Sequence, residues 1–204
     1  MDTSTMHKLT YGLFVLTAHE NGKDNGCIIN TCMQVTTTPN RILIAVNKQN
    51  YTHDMVLNTG VFNVSILDES APFTTFERFG FQSGRDTDKL IGLAASRAEN
   101  GVIYPTLNVS GVISAKVVEA LDMGTHTLFI ADVTDCFKMS GRPSLTYAYY
   151  HANVKPKSKP RPKKEDGKKA WRCKICGYIY EGDPLPADFI CPICKHGAED
   201  FEPI

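Results

Sequence analysis

The chain is predicted to fold as mainly β with some α: a closed or split β-barrel followed by a small metal-knuckle domain. Three observations predict this. Residues 1–153 hold short runs rich in Val, Ile, Thr, Phe and Tyr, separated by turn residues. Residues 154–169 are dominated by Lys, Arg and Pro, a composition that builds no core. Residues 170–204 hold two Cys-x-x-Cys pairs.

Taken in order, residues 11–19 are a strand candidate. Residues 27–37 (CIINTCMQVTT) alternate and are β-branched, which predicts a strand. The run 41–47 (RILIAVN) is short and continuously apolar, the pattern of a strand buried on both faces. Residues 51–59 suit a helix, with Gly60 as its stop. Residues 62–67 read as a strand and 72–79 as a helix. The segment 80–92 (GFQSGRDTDKLIG) turns polar and glycine-rich and reads as a mobile loop. Strands 111–121, 125–136 and 144–150 follow. Strands at such spacing suggest a closed or split barrel. No repeat of 20–50 residues is visible.

Charge divides the chain. The formal net charge is zero, so no global attraction to nucleic acid is expected. Residues 154–169 carry eight basic side chains against two acidic ones. With Pro156, Pro160 and Pro162 they read as a semi-extended linker, roughly 50 Å long if fully stretched. A nucleic-acid tail is the rival reading; the segment lacks the aromatic residues that stack bases. The expected domains are therefore a body at 1–153, a linker at 154–169 and a tail domain at 170–204. No apolar run reaches 18 residues, and the start lacks the basic-then-apolar pattern of a signal peptide. With seven cysteines and nothing pointing to an oxidising compartment, a cytoplasmic location is expected, with no membrane partner. Cys27, Cys32 and Cys136 read as free, buried thiols. No GxGxxG, Walker loop, GxSxG elbow or clustered carboxylate pair is present.

The chemistry lies first in Cys173, Cys176, Cys191 and Cys194. Each pair has a two-residue gap, and 14 residues separate the pairs. Two such turns facing one another build a tetrahedral four-thiolate cage suited to iron or zinc. A pair of disulfides and a redox dithiol are the alternatives.

The text around them, WRCKICGYIYEGDPLPADFICPIC, resembles rubredoxin in its short-loop form. The matching features are Trp171, Gly177, Tyr178, Tyr180, Gly182-Asp183-Pro184, Phe189 and Pro192. The resemblance implies one iron held by the four cysteines, with Trp171, Tyr178, Tyr180 and Phe189 packed over it. The chain departs from the family in one place: Lys195 stands where the family usually has Gly after the fourth cysteine.

The segments GCIINTCMQVTTTPNRILIAVNKQNYTHDMVLNTGVFNVSIL, GTHTLFIADV and RPSLTYAYYH are similar to the flavin-reductase-like, FMN-binding split barrel family, over nearly all of residues 8–151. The resemblance implies that Asn30, Thr31, Cys32, Met33 and Gln34 run along the flavin ring, and that Asn47, Lys48 and Thr52 hold the phosphate. Such a strand edge offers backbone donors and acceptors to the polar end of an isoalloxazine, and a helix start with a lysine suits a phosphate. His126 occupies the place of a family histidine near flavin and nicotinamide; a structural histidine at a strand start is the other reading. Arg85 reads as a surface charge that could reach a phosphate. His53 reads as a helix cap, and Tyr147, Tyr149 and Tyr150 as core and dimer packing.

Together the two resemblances imply an electron-transfer enzyme. NADH or NADPH would reduce FMN, and FMN the built-in iron. A partner such as a flavodiiron protein (oxygen or nitric oxide reduction) or rubrerythrin would then be served. A homodimer is expected. The alternatives are a flavin reductase that releases reduced FMN, and a zinc-ribbon interaction module on a non-enzymatic FMN-binding barrel.

Overall fold

The computed structural model describes residues 2–156, 170–174, 178–191 and 197–204. The chain divides into two compact units, Met1–Lys155 and Pro156–Ile204. The expected linker core, 157–169, lies outside the described residues.

The first unit is one antiparallel sheet of seven strands: β1 (Phe14–Glu20), β2 (Lys23–Ile29), β3 (Cys32–Thr37), β4 (Asn40–Asn47), β5 (Val61–Leu67), β8 (Val109–Asp122) and β9 (His126–Lys138). A small separate pair, β6 (Ala95–Arg97) and β7 (Ile103–Pro105), lies between β5 and β8 in the chain. The strand order is β2-β1-β5-β8-β9-β4-β3. β2 and β3 are thus opposite edges of the sheet, yet only Asn30 and Thr31 separate them in the chain. The three Cα steps from Ile29 to Cys32 reach about 11 Å at most. Seven strands laid flat would put the edges roughly 29 Å apart. The sheet must therefore curl until its edges meet at Asn30–Thr31. β2 and β3 do not pair, so the barrel stays split along that seam.

This crossing explains one correction. Residues 27–37 are two strands, because the chain leaves one edge and joins the other at Asn30–Thr31. A second correction concerns β4. It is not buried on both faces: Ile42, Ile44 and Val46 point inward, while Leu43 and Ala45 between them are only half-buried. β1, in contrast, is buried on both faces, with Leu16 in the barrel interior and Val15 in a second core outside it. That second core packs α2 (Phe73–Gly80) and the C-terminal part of the unit against β1, β5 and β8.

Helix α1 (Tyr51–Thr59) closes one end of the barrel with Met55 and Val56, and ends where Gly60 takes a φ of 68°. That left-handed conformation is the one glycine accepts without cost.

Residues 144–150 are not a strand. Ser144 and Thr146 make single bridges to Asp68 and Gly12. Thr146 Oγ1 then accepts from Tyr149 N at 3.1 Å and starts a short helical segment, α3 (Tyr147–Tyr149), which continues over Tyr150–Val154. Tyr150 is buried there, its ring centroid 4.4 Å from that of Phe76.

The segment 80–92, expected to be mobile, is pinned at several points. Gly84 lies so close to Asn25 that an added Cβ would sit 2.1 Å from its Oδ1. Lys89 is buried and donates to Gly26 O (2.9 Å) and Phe79 O (3.3 Å). Arg78 holds the carbonyls of Lys89 and Ile91. No periodicity announces such links, because each joins a polar side chain to a distant backbone atom.

The second unit has a three-stranded sheet in the order β11 (Ile179–Glu181), β10 (Ala170–Cys173), β12 (Phe201–Pro203). Its core holds Cys173, Cys191 and Phe201, with Trp171, Tyr178, Tyr180, Leu185 and Phe189 packed against them. Phe189 is the hub, with ring centroids 4.7 Å from Tyr180 and 5.3 Å from Phe201. Among the described residues, no helix is long and apolar enough to cross a membrane.

Candidate functional site

The structure brings Asn47, Lys48 and His126 to one end of the barrel. Asn47, the last residue of β4, faces His126, the first of β9. Lys48 N donates to Thr125 O at 3.0 Å, and Lys48 Nζ reaches Asp122 Oδ1 at 2.6 Å. Hydrogen bonds from Lys48 and from Gly124 N hold the Asp122 carboxyl below its ordinary range. His126 Nδ1 lies 2.9 Å from Thr125 Oγ1.

Asn47 also builds the entry to α1. Its side-chain oxygen accepts from Gln49 N (2.9 Å) and its carbonyl from Asn50 N (3.0 Å). Asn50 is the N-cap residue, yet its side chain makes no capping bond. The first turn of α1 therefore presents N–H groups beside Lys48 without a side-chain acceptor of its own.

Asn30, Thr31, Cys32, Met33 and Gln34 lie along the seam and the start of edge strand β3. Thr31 O accepts a long bond from Ala45 N (3.4 Å), Thr31 Oγ1 donates to Asn30 Oδ1 (3.1 Å), and Gln34 Nε2 donates to Asn40 Oδ1 (2.8 Å). β3 pairs with β4 on one side only, so its other side offers backbone groups outward. Cys32, expected buried, is half-buried, and that burial pushes its thiol up to about 12. It is a packing residue rather than a thiolate.

Thr52 is corrected. Its side chain is fully buried, and its hydroxyl accepts from Asn25 Nδ2 at 3.0 Å. The hydroxyl is thus committed to Asn25, while the backbone N–H of Thr52 stands in the first turn of α1. One residue on in the helix rotates the side chain by about 100°, which spacing alone does not orient.

His53 is not a simple cap. It is buried, with Nε2 2.8 Å from Thr127 Oγ1 and Nδ1 3.0 Å from Asp54 Oδ1. Arg85 Nη2 donates to Asp54 Oδ2 at 2.7 Å. Burial opposes ionisation of Asp54, but the hydrogen bonds from Arg85 and His53 outweigh it and keep the carboxyl below its ordinary range. This chain joins the 80–92 segment to the residue next to His126. Sequence reading missed it because its members are far apart in the chain. Cys136, expected buried, is exposed: its neighbour Phe137 packs inward, and alternate strand residues point opposite ways.

In the second unit, Cys173 and Cys191 are buried in the same aromatic cluster, and neither forms a disulfide. Cys173 N donates to Tyr178 O at 2.8 Å. Cys176 and Cys194 lie outside the described residues. Two buried cysteines, each the first of its pair, brought to one cluster fit a thiolate-held metal.

Comparison with known proteins follows the same division. Residues 6–158 match the family model described as flavin reductase like domain, and residues 171–202 match that of the rubrerythrin, rubredoxin-like domain. The high molecular weight rubredoxin of Moorella thermoacetica is 35% identical over 229 aligned positions that span all of both chains. The ferric-chelate reductase (NAD(P)H) of Archaeoglobus fulgidus is 38% identical over 158 residues, covering 78% of this chain and 94% of its own. Among solved structures, the FMN-binding protein of Thermus thermophilus superposes with a TM-score of 0.63 at 19% identity, covering 69% of this chain and 83% of its own; that likeness speaks for the fold alone.

Proposed function

This chain belongs to the flavin reductase like family, with a rubredoxin-like domain at its C-terminus, and we propose that it moves electrons from NAD(P)H to an acceptor protein. It is an NAD(P)H-dependent oxidoreductase whose cofactors are FMN and one iron. The observation that carries the reading is the joining of the two units in one chain. Bound FMN supplies a two-electron hydride acceptor that releases electrons singly, and a four-thiolate iron supplies a one-electron carrier.

The residues present fit both groups. The outward edge of β3, at Asn30–Gln34, offers backbone donors and acceptors to a polar ring edge. Lys48, Asn47 and the uncapped start of α1 converge where a phosphate would lie. His126 stands across from Asn47 on the same sheet face, placed to orient the ring or hold a proton at its imidazole. Cys173, Cys176, Cys191 and Cys194 supply the four thiolates. Joining the two units in one chain makes electron transfer between them intramolecular.

Two finer readings complete the proposal. The first is a homodimer. Met33, Leu43 and Ile130 form one row across β3, β4 and β9, and Ala45, Leu128 and Leu121 a second across β4, β9 and β8. These rows are apolar up to Glu119, which faces Ile130 from β8, and they are not fully covered, with Met33 58% exposed, which supports burial against a second copy. The second reading is the acceptor: a flavodiiron protein or a rubrerythrin fits a one-electron iron donor.

A visible spectrum of the protein as isolated is the test. Flavin and ferric–thiolate bands that both bleach with NADH or NADPH are expected. Flavin bands with zinc, or flavin that washes off while iron is absent, would overturn the reading.

A further inference from the structure

Lys23 and Arg85 converge on one aromatic ring. Lys23 Nζ lies 4.9 Å from the centroid of the Tyr51 ring, and the Arg85 guanidinium carbon lies 4.8 Å from it. The two cations come from unrelated places: the first residue of β2 and the 80–92 segment. Lys23 Nζ also donates to Gly84 O at 2.9 Å, so the neighbour of Arg85 is tied to the same corner.

Their charges are incompletely balanced. Asp54 accepts from Arg85 but shares itself with His53. Asp24, adjacent to Lys23 in the chain, is committed to Arg97 (2.6 Å) and His19 (2.8 Å). Lys23 meets a neutral carbonyl and a ring face. Two like charges around one ring repel each other unless an anion joins them. Half of the Arg85 side chain is exposed, so the corner is open to solvent.

The corner also borders the flavin end. Tyr51 opens α1 directly after Asn50, with Lys48 just ahead. Through Asp54 and His53, Arg85 reaches Thr127, next to His126. Two cations, a flat aromatic wall and a helix start suit a phosphoryl group attached to a ribose.

We propose that Lys23, Tyr51 and Arg85 bind a phosphoryl group of the reduced nicotinamide dinucleotide, separately from the FMN phosphate at Lys48. The inference rests on the functional reading above and adds where the electron donor is gripped. Arg85 exchanges its bond to Asp54 for one to the incoming phosphate.

The test uses the full-length, flavin-loaded protein and two redox-inert probes, ADP-ribose and 2′-phospho-ADP-ribose, titrated by calorimetry. Arg85→Ala and Lys23→Met should each raise the dissociation constant at least tenfold for one or both probes, and raise KM for the matching dinucleotide more than they lower kcat. A loss confined to the 2′-phosphorylated probe assigns the 2′-phosphate; an equal loss assigns the diphosphate. FMN affinity, followed by fluorescence quenching, should stay within twofold. Unchanged probe binding in both variants, or an equal loss of FMN affinity, would overturn the assignment. If the wild-type flavin is reduced by neither NADH nor NADPH, the functional reading itself fails; if it is reduced while both variants bind the probes normally, only this site fails.

Discussion

Lys48 Nζ and Asp122 Oδ1 are 2.6 Å apart, so the cation proposed for the FMN phosphate already holds an internal carboxylate at the tip of the β8–β9 hairpin. Both side chains are partly exposed, 35% and 72%, so solvent screens the pair and it adds little to stability. A phosphate dianion therefore displaces Asp122 at little cost. Lys48→Ala should weaken FMN binding about tenfold, roughly 1.4 kcal/mol, and Asp122→Asn should leave it equal or tighter. Fluorescence titration of the apoprotein with FMN measures both. Unchanged affinity in Lys48→Ala would remove Lys48 from the site.

Thr52 gives a prediction of the opposite kind. Its hydroxyl satisfies buried Asn25, so Thr52→Val should lower stability by about 1–3 kcal/mol without a specific loss of FMN affinity. Thr52→Ser should restore most of it. Urea unfolding and FMN titration on the same samples separate the effects. A large FMN defect with unchanged stability would place the Thr52 hydroxyl on the phosphate instead.

Cys173→Ser and Cys191→Ser should each abolish the ferric–thiolate bands while flavin stays bound and reducible by NAD(P)H. The two units have separate cores, so loss of the metal leaves the barrel folded. Metal analysis alongside the spectrum is the check, and collapse of flavin binding would contradict the separation.

Asp24 links pH to stability. Burial raises its pKa, but hydrogen bonds from Arg97 and His19 prevail, and the carboxyl ends below its ordinary value of 3.8. A group depressed in the folded state adds stability above its unfolded pKa and loses that stability as pH falls through the folded one. Native protein should thus lose urea resistance below about pH 4, and Asp24→Asn should flatten that part of the profile while lowering stability at pH 6. Midpoints measured at pH 6, 4 and 3 decide it.

The outer sheet face predicts assembly. Leu128→Glu puts a charge into the middle of the Ala45–Leu128–Leu121 row and should convert a dimer to monomer in light scattering. A wild-type monomer would mean that this face is covered by something else.

Much of this protein is legible along the chain. The helix at Tyr51–Thr59 and its stop at Gly60 follow from local periodicity and one left-handed residue. The position of β4 follows from its apolar run, though not its one-sided burial, because half-covered Leu43 and Ala45 look like core residues when read singly. The tail unit was readable because cysteine spacing and aromatic placement are short-range features, and Trp171, Tyr178, Tyr180 and Phe189 do pack together.

What the tertiary structure alone decided is direction and partnership. The curl that brings Ile29 and Cys32 from opposite sheet edges to one seam depends on the order of all seven strands. The inward turn of Thr52, the burial of Lys89 and the chain from Arg85 through Asp54 and His53 to Thr127 join residues dozens of positions apart. Short-range pattern encodes which face of an element is apolar. It does not encode which distant polar atom each side chain will meet, because that meeting is settled by the packing of the whole barrel.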